Sequence, residues 1–169
     1  MLVEMIILGF ESLKSILDMN ILYLVLLMGL LGTAVFFDIK ELRIPNYLNL
    51  SLLIINTAMF ILLPLFKHGT AAFSEIGPHL FSGLFGFILF LLIAMKTKFK
   101  MAGDIKFIGA FGICLGWSIF LFIALACLLN MATNLTIIKL KKRSFDNVIP
   151  FAPFFAASFI ILLAMSSSI

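Results

Sequence analysis

The run "FIGAFGICLGWSIFLFIALACLLNMATNLTII", residues 107–138, contains no charged side chain. As one helix it would be about 48 Å long, at about 1.5 Å per residue, against a bilayer hydrocarbon core of about 30 Å. As two spans it is cramped. The flanking charges arbitrate. Lys96, Lys98, Lys100 and Lys106 stand before the run, and Lys139, Lys141, Lys142 and Arg143 follow it. Basic loops of membrane proteins stay in the cytoplasm, so an even number of crossings must separate the two clusters. The sequence therefore predicts two short helices divided near Gly116, Trp117 and Ser118. Such helices cross fully only where neighbours thin the bilayer or their tilt differs.

The rest of the chain fits the same solvent. It has 169 residues, 63% hydrophobic and 12% charged. Soluble domains carry about 25% charged residues, so this chain cannot cover itself for water. An all-α membrane protein is expected, with about six transmembrane helices and an N-terminal amphipathic surface helix in "MLVEMIILGFESLKSILDMN". Besides the split run, the spans are 21–37, 47–66, 76–95 and 149–165, each near the length a bilayer demands. Pro45 suits a helix start; Gly77 and Pro78 mark the beginning of the third span, and Pro150 and Pro153 the first turn of the last. No region is long or polar enough for a separate soluble domain, so a single transmembrane domain over residues 1–169 is expected.

This arrangement gathers Lys40, Arg43 and both lysine clusters on one side, leaving only Lys14 and Lys67 opposite. Both termini then face away from the cytoplasm, across the cell's inner (plasma) membrane. The net charge of +4 reads as an orientation signal, with the lipid bilayer as partner and no nucleic acid. Cys114 and Cys127 form no CxxC pair and read as packing residues. His68 and His79 fall on the far side as loop residues, and neither a metal nor any other cofactor is expected. Asn56, Thr57, Asn130, Thr133 and Asn134 offer polarity inside the spans, suited to bonds between helices.

Glycines recur at close-packing spacing: Gly29 with Gly32, Gly83 with Gly86, and Gly109, Gly112 and Gly116. Tight contact of the first and fourth spans through them would bring two carboxylates together, because Asp38 closes the first span and Asp104 opens the fourth. Asp104 also suits a plain helix-terminal role, since an acid at a helix N-terminus is favoured. Asp38 suits one less, because a helix C-terminus repels an anion. Lys40, Arg43 or Lys106 could neutralise either. Two carboxylates held together share a proton, so one can activate water while the other protonates a substrate. The same pair could serve as the relay of an ion- or proton-coupled transporter, or the chain could be a structural subunit with no chemistry.

At this point the residues carry a resemblance. "DIKELRIPN" (38–46), followed by "GDIK" (103–106), resembles the type IV prepilin peptidases, membrane aspartyl proteases with a D…RIPN segment and a GxGD motif. "NVIPFAPFFA" (147–156) is similar to that family's proline-containing start of its last helix. The resemblance is to the compact members serving Flp, or tight-adherence, pili, which lack the methyltransferase domain. It implies an aspartic endopeptidase that removes the leader from pilin-like precursors at the cytoplasmic face, after a glycine preceding the precursor's hydrophobic helix. It further implies Asp38 and Asp104 as catalytic pair, with Gly103, Lys106, Arg43, Pro45 and Asn46 shaping the site. Gly103 would give backbone freedom beside the acid and Lys106 would tune its ionisation. Each also has a plainer role: Arg43 and Lys106 as topology charges, Pro45 as helix starter, Asn46 as a polar first-turn residue. One departure stands out: the first motif glycine is Met101, giving "MAGD", which bears on substrate fit more than on catalysis.

Overall fold

A computed structural model of the chain describes residues 2–17, 21–96, 102–141 and 150–168. Met101, Lys98, Lys100, Lys142, Arg143 and Ile149 lie outside the described residues. All the regular structure among the described residues is helical: α1 Leu2–Leu17, α2 Ile21–Glu41, α3 Asn46–Thr57, α4 Leu63–His68, α5 Phe73–Lys96, α6 Ala102–Leu115, α7 Ile119–Lys141 and α8 Ala152–Ser167. α3 and α4 form one rod, joined by a π-helical turn at Ala58–Leu62. Pro64 explains the turn. It has no N–H to give the carbonyl of Phe60, and its ring needs room there, which a wider helical turn supplies.

Among the described residues, four stretches are long and apolar enough to cross a membrane: Ile21–Glu41, Asn46–His68, Phe73–Met95 and Ala102–Thr136. The fourth folds back on itself. The rings of Phe111 and Phe122 lie 5.5 Å apart, whereas a continuous helix would separate the two residues by about 16 Å. The reversal sits in a 3-10 turn at Gly116–Ser118, where the charge argument places it. Gly116 has a φ of 53°, the left-handed conformation that favours glycine. α6 has 14 residues, which reach only about 21 Å, so this helix is short of a full crossing, as its sequence predicts.

α1 closes the bundle over that turn. Its buried stripe is Gly9, Leu13 and Ile16, one helical face, while Glu4, Glu11 and Lys14 are exposed. Ser118 Oγ donates to Gly9 O at 2.7 Å, so the reversal and α1 are bonded to each other. Phenylalanines fill the centre: Phe90, Phe107, Phe111, Phe122, Phe155 and Phe159 are almost fully buried and tie α5, α6, α7 and α8 together. In lipid, van der Waals contact of this kind replaces the hydrophobic drive between helices.

The glycines pack a different pair from the one expected. A Cβ at Gly83 would stand 3.0 Å from Gly109 O, and one at Gly112 would stand 2.9 Å from Ser82 O. They bring α5 against α6. Gly29 and Gly32 on α2 have no atom within 4 Å of such a Cβ, so they take no part in joining the first and fourth spans. Polar residues within the spans divide likewise. Asn56 does bond between helices, taking the Tyr23 hydroxyl at 2.9 Å and donating to Ala110 O at 2.9 Å. Thr133 bonds Leu129 O, and Asn134 bonds Asn130, all within α7.

His79 is a helix residue of α5, contrary to the loop position expected for it. The break after α6 leaves that helix's last carbonyls without helical partners, and in a bilayer no water is there to take them. His79 Nδ1 meets Ile113 O at 2.7 Å, and the Ser82 hydroxyl meets Gly112 O.

Candidate active site

Asp38 lies one turn before the end of α2, where the helix dipole disfavours an anion. The fold answers with a second helix end. The N–H of Ala152, the first residue of α8, donates to Asp38 Oδ2 at 2.7 Å, and the Phe151 N–H bonds the same carboxylate. First-turn N–H groups have no partner in their own helix. Asp38 thus closes the start of α8, and the positive end of α8 offsets the negative end of α2. The side chain is 4% exposed.

Asp104 lies in the first turn of α6, at the end of that helix that favours a negative charge. It is half-buried, and the charge of Asp38 acts on it directly. Two carboxylates from elements far apart in sequence therefore stand at one end of the bundle, within electrostatic reach of each other. What joins them is not contact of α2 with α6 through glycines. It is α3, laid against α6, and α8, laid against α2.

The segment after Asp38 explains how α3 gets there. The N–H of Leu42 bonds Asp38 O at 3.0 Å, and Leu42 takes a left-handed φ of 52°. That conformation ends a helix and turns the chain at once. Pro45, extended at ψ 143°, is the cap residue just outside α3. Between them Ile44 lies over Gly103. A Cβ at Gly103 would stand 3.1 Å from Ile44 N and 3.3 Å from Ile44 O. Gly103 has no positive φ, so its use is the missing side chain and not the conformational freedom expected.

Lys106 Nζ donates to Asn46 Oδ1 at 2.9 Å. This bond ties the start of α6 to that of α3. Glu41, Arg43, Pro45, Asn46, Gly103 and Lys106 line a cavity of about 450 Å3 beside this junction. Asn49, one turn beyond Asn46, was not visible as a site residue. Its Nδ2 donates to Gly103 O at 3.3 Å, so it holds the residue next to Asp104. An asparagine in an apolar span gives no sign of this by itself. Among the described residues no three His, Cys, Asp or Glu side chains converge to hold a metal ion. The chemistry on offer is that of paired carboxylates, able to accept and donate protons.

Residues 24–167 match the family described as the type IV leader peptidase family. The chain is 31% identical, over 160 residues, to a prepilin leader peptidase/N-methyltransferase of Legionella pneumophila. That alignment covers 89% of this chain and 52% of the relative, so the chain spans about half of that protein's length. No solved structure matches it. With the motif segments 38–46 and 103–106 inside the matched region, the chain belongs to the type IV leader peptidase family.

Proposed function

We propose that this protein is an aspartic endopeptidase of the inner membrane that removes the leader from pilin-like precursors, with Asp38 and Asp104 as its catalytic pair. One observation carries the reading: the fold brings these two acids, from α2 and α6, within electrostatic reach at one end of the bundle. Family membership supports peptidase chemistry, and similarity to a prepilin leader peptidase/N-methyltransferase of Legionella pneumophila supports a prepilin as substrate.

The pair holds one proton between its two carboxyl groups, because two adjacent anions repel. The ionised group takes a proton from water as the water oxygen attacks the scissile carbonyl carbon. The protonated partner gives its proton to the departing amide nitrogen, and the C–N bond breaks. No covalent intermediate forms on the protein. The two groups titrate as a unit. The Ala152 and Phe151 N–H groups hold Asp38 in place, Gly103 lets Ile44 lie against the start of α6, and Lys106 with Asn46 fixes α6 to α3.

The test is processing of a co-expressed prepilin by wild type, Asp38→Asn and Asp104→Asn. Each substitution is nearly isosteric and removes a titrating group. Each is expected to abolish detectable cleavage, with protein level in the membrane unchanged. Mature pilin appearing with either variant would remove the assignment.

A further inference from the structure

A groove of about 590 Å3 runs along the flank of the bundle between α3, α5 and α6. Most of its wall is apolar and exposed, including Leu50, Leu53, Leu84 and Phe87. One end is different. Asn46, Asn49 and Lys106 line it there, beside Gly103 and hence beside Asp104. Asn49 is only 5% exposed. Its Nδ2 is committed to Gly103 O, which leaves Oδ1 as the buried side-chain acceptor with no partner among the described residues. Turning the amide over would abandon the Gly103 bond and put two donors where one acceptor stands. A buried acceptor without a donor is costly, and the residue that carries it is one of those lining the apolar groove.

We propose that the groove is the docking site for the apolar helix of the membrane-embedded substrate. The helix lies with its N-terminal end toward the carboxylates, and Asn49 Oδ1 accepts one of its first-turn N–H groups. The proposal rests on the peptidase reading and adds to it where and in which direction the substrate binds.

Three physical constraints select this occupant. Whatever lies against α3, α5 and α6 within lipid must satisfy its own backbone, so a peptide there is a helix. The two ends of a helix differ: the first four N–H groups are free at one end and the last four carbonyls at the other. An unpaired acceptor therefore selects the N-terminal end. A lipid acyl chain would fill the apolar part but carries no donor for Asn49. The groove extends from Asn46 to Leu53 along α3 and from Lys106 to Ile113 along α6, about two helical turns. The site thus senses the first two turns of the helix and leaves the rest in lipid. Because Asn49 holds Gly103, a helix seated on it presents the bond just before its first turn to Asp104. Asn49 is in this sense a positioning residue.

The test uses the whole protein in proteoliposomes and a semisynthetic precursor, a short leader ahead of an apolar helix of about 20 residues. A photoreactive phenylalanine analogue replaces Leu53 or Leu84 in the groove, or Val25 on the exposed flank of α2 (64% exposed) as control. The expected result is crosslinking to the first two turns of the precursor from Leu53 and Leu84, and none from Val25. Cleavage of the precursor with crosslinks only from Val25, to lipid, or to a second copy of this chain would overturn the groove assignment. Groove crosslinks without cleavage by the wild type would instead overturn the peptidase reading and keep the docking site. For Asn49, amide-to-ester replacement at each of the first four helix positions removes one N–H at a time. One such ester should lower wild-type kcat/KM about tenfold, the size of one hydrogen bond. Asn49→Leu should lower it equally and make the enzyme indifferent to that ester, the signature of direct coupling. Losses that multiply at every position would show a structural role for Asn49 and defeat its part in binding.

Discussion

At Gly103 the chain has no space for a methyl group, and the obstacle is backbone. The Ile44 N and O atoms would lie 3.1 and 3.3 Å from an added Cβ, and neither can rotate away as a side chain could. Gly103→Ala must therefore shift Ile44 from α6 by a few tenths of an ångström, at the point where Lys106 and Asn49 also join α6 to α3. Overpacking of this kind costs about 1–3 kcal/mol, which leaves a bundle this well filled folded. Catalysis is less forgiving, since the reacting groups must keep their near-attack geometry. The expected outcome is a folded protein in the membrane whose turnover of a prepilin falls roughly 10–100-fold, measured in proteoliposomes. Wild-type turnover with Gly103→Ala would show that the Ile44 contact is not part of the working site. Two aspartates beside membrane segments stand out in a chain with 12% charged residues, so Asp38 and Asp104 were legible at once. Their partners were not. The Ala152 N–H that bonds Asp38 lies 114 residues away, and nothing local to either residue encodes that distance.

α6 is the element on which the architecture turns. It is too short to span, it ends inside the bundle, and its last carbonyls have to find donors there. Donors come from α5, in His79 and Ser82, the helix to which glycines bring α6 closest. His79 must carry its proton on Nδ1 to serve a carbonyl, which fixes its tautomer. Replacing His79 by alanine leaves Ile113 O buried and unpaired, a loss of about 1–3 kcal/mol. His79→Ala should therefore unfold at lower temperature or lower denaturant than wild type. At mild temperature it should keep most of its cleavage activity, because His79 sits near Gly116 at the closed end of the bundle. Unchanged stability would mean that the Ile113 carbonyl finds another donor. The short helix itself was legible, because charge on both sides of an uncharged run forces an even number of crossings. Which glycines meet was not legible. Spacing marks a surface able to pack closely, and Gly29 with Gly32 carries the same mark while no atom of the described residues lies within 4 Å of a Cβ built there.

For the molecule as a whole, the two ends of the bundle have different jobs. α1 and the 116–118 turn seal one end. The other holds Asp38, Asp104, the connecting residues 42–45 and the start of α8. Lys40, Arg43 and Lys106 belong to that second end, while Lys67 and His68 lie at the opposite end of the α3–α4 rod. The positive-inside rule turns a fold with two distinct ends into an oriented one, and for the proposed peptidase it predicts that the carboxylates face the cytoplasm. The orientation matters to the chemistry, because a precursor whose leader waits in the cytoplasm can be cut only from that side. Alkaline phosphatase, which needs its disulfides and so works only outside the cytoplasm, reports on this directly. Fused after His68 it should be active, and fused after Arg43 or after Lys141 it should be inactive. The reverse pattern would put both acids on the outer surface. The pair would then remain a pair, but a leader held in the cytoplasm would lie a full membrane thickness from it, and the peptidase reading could not stand.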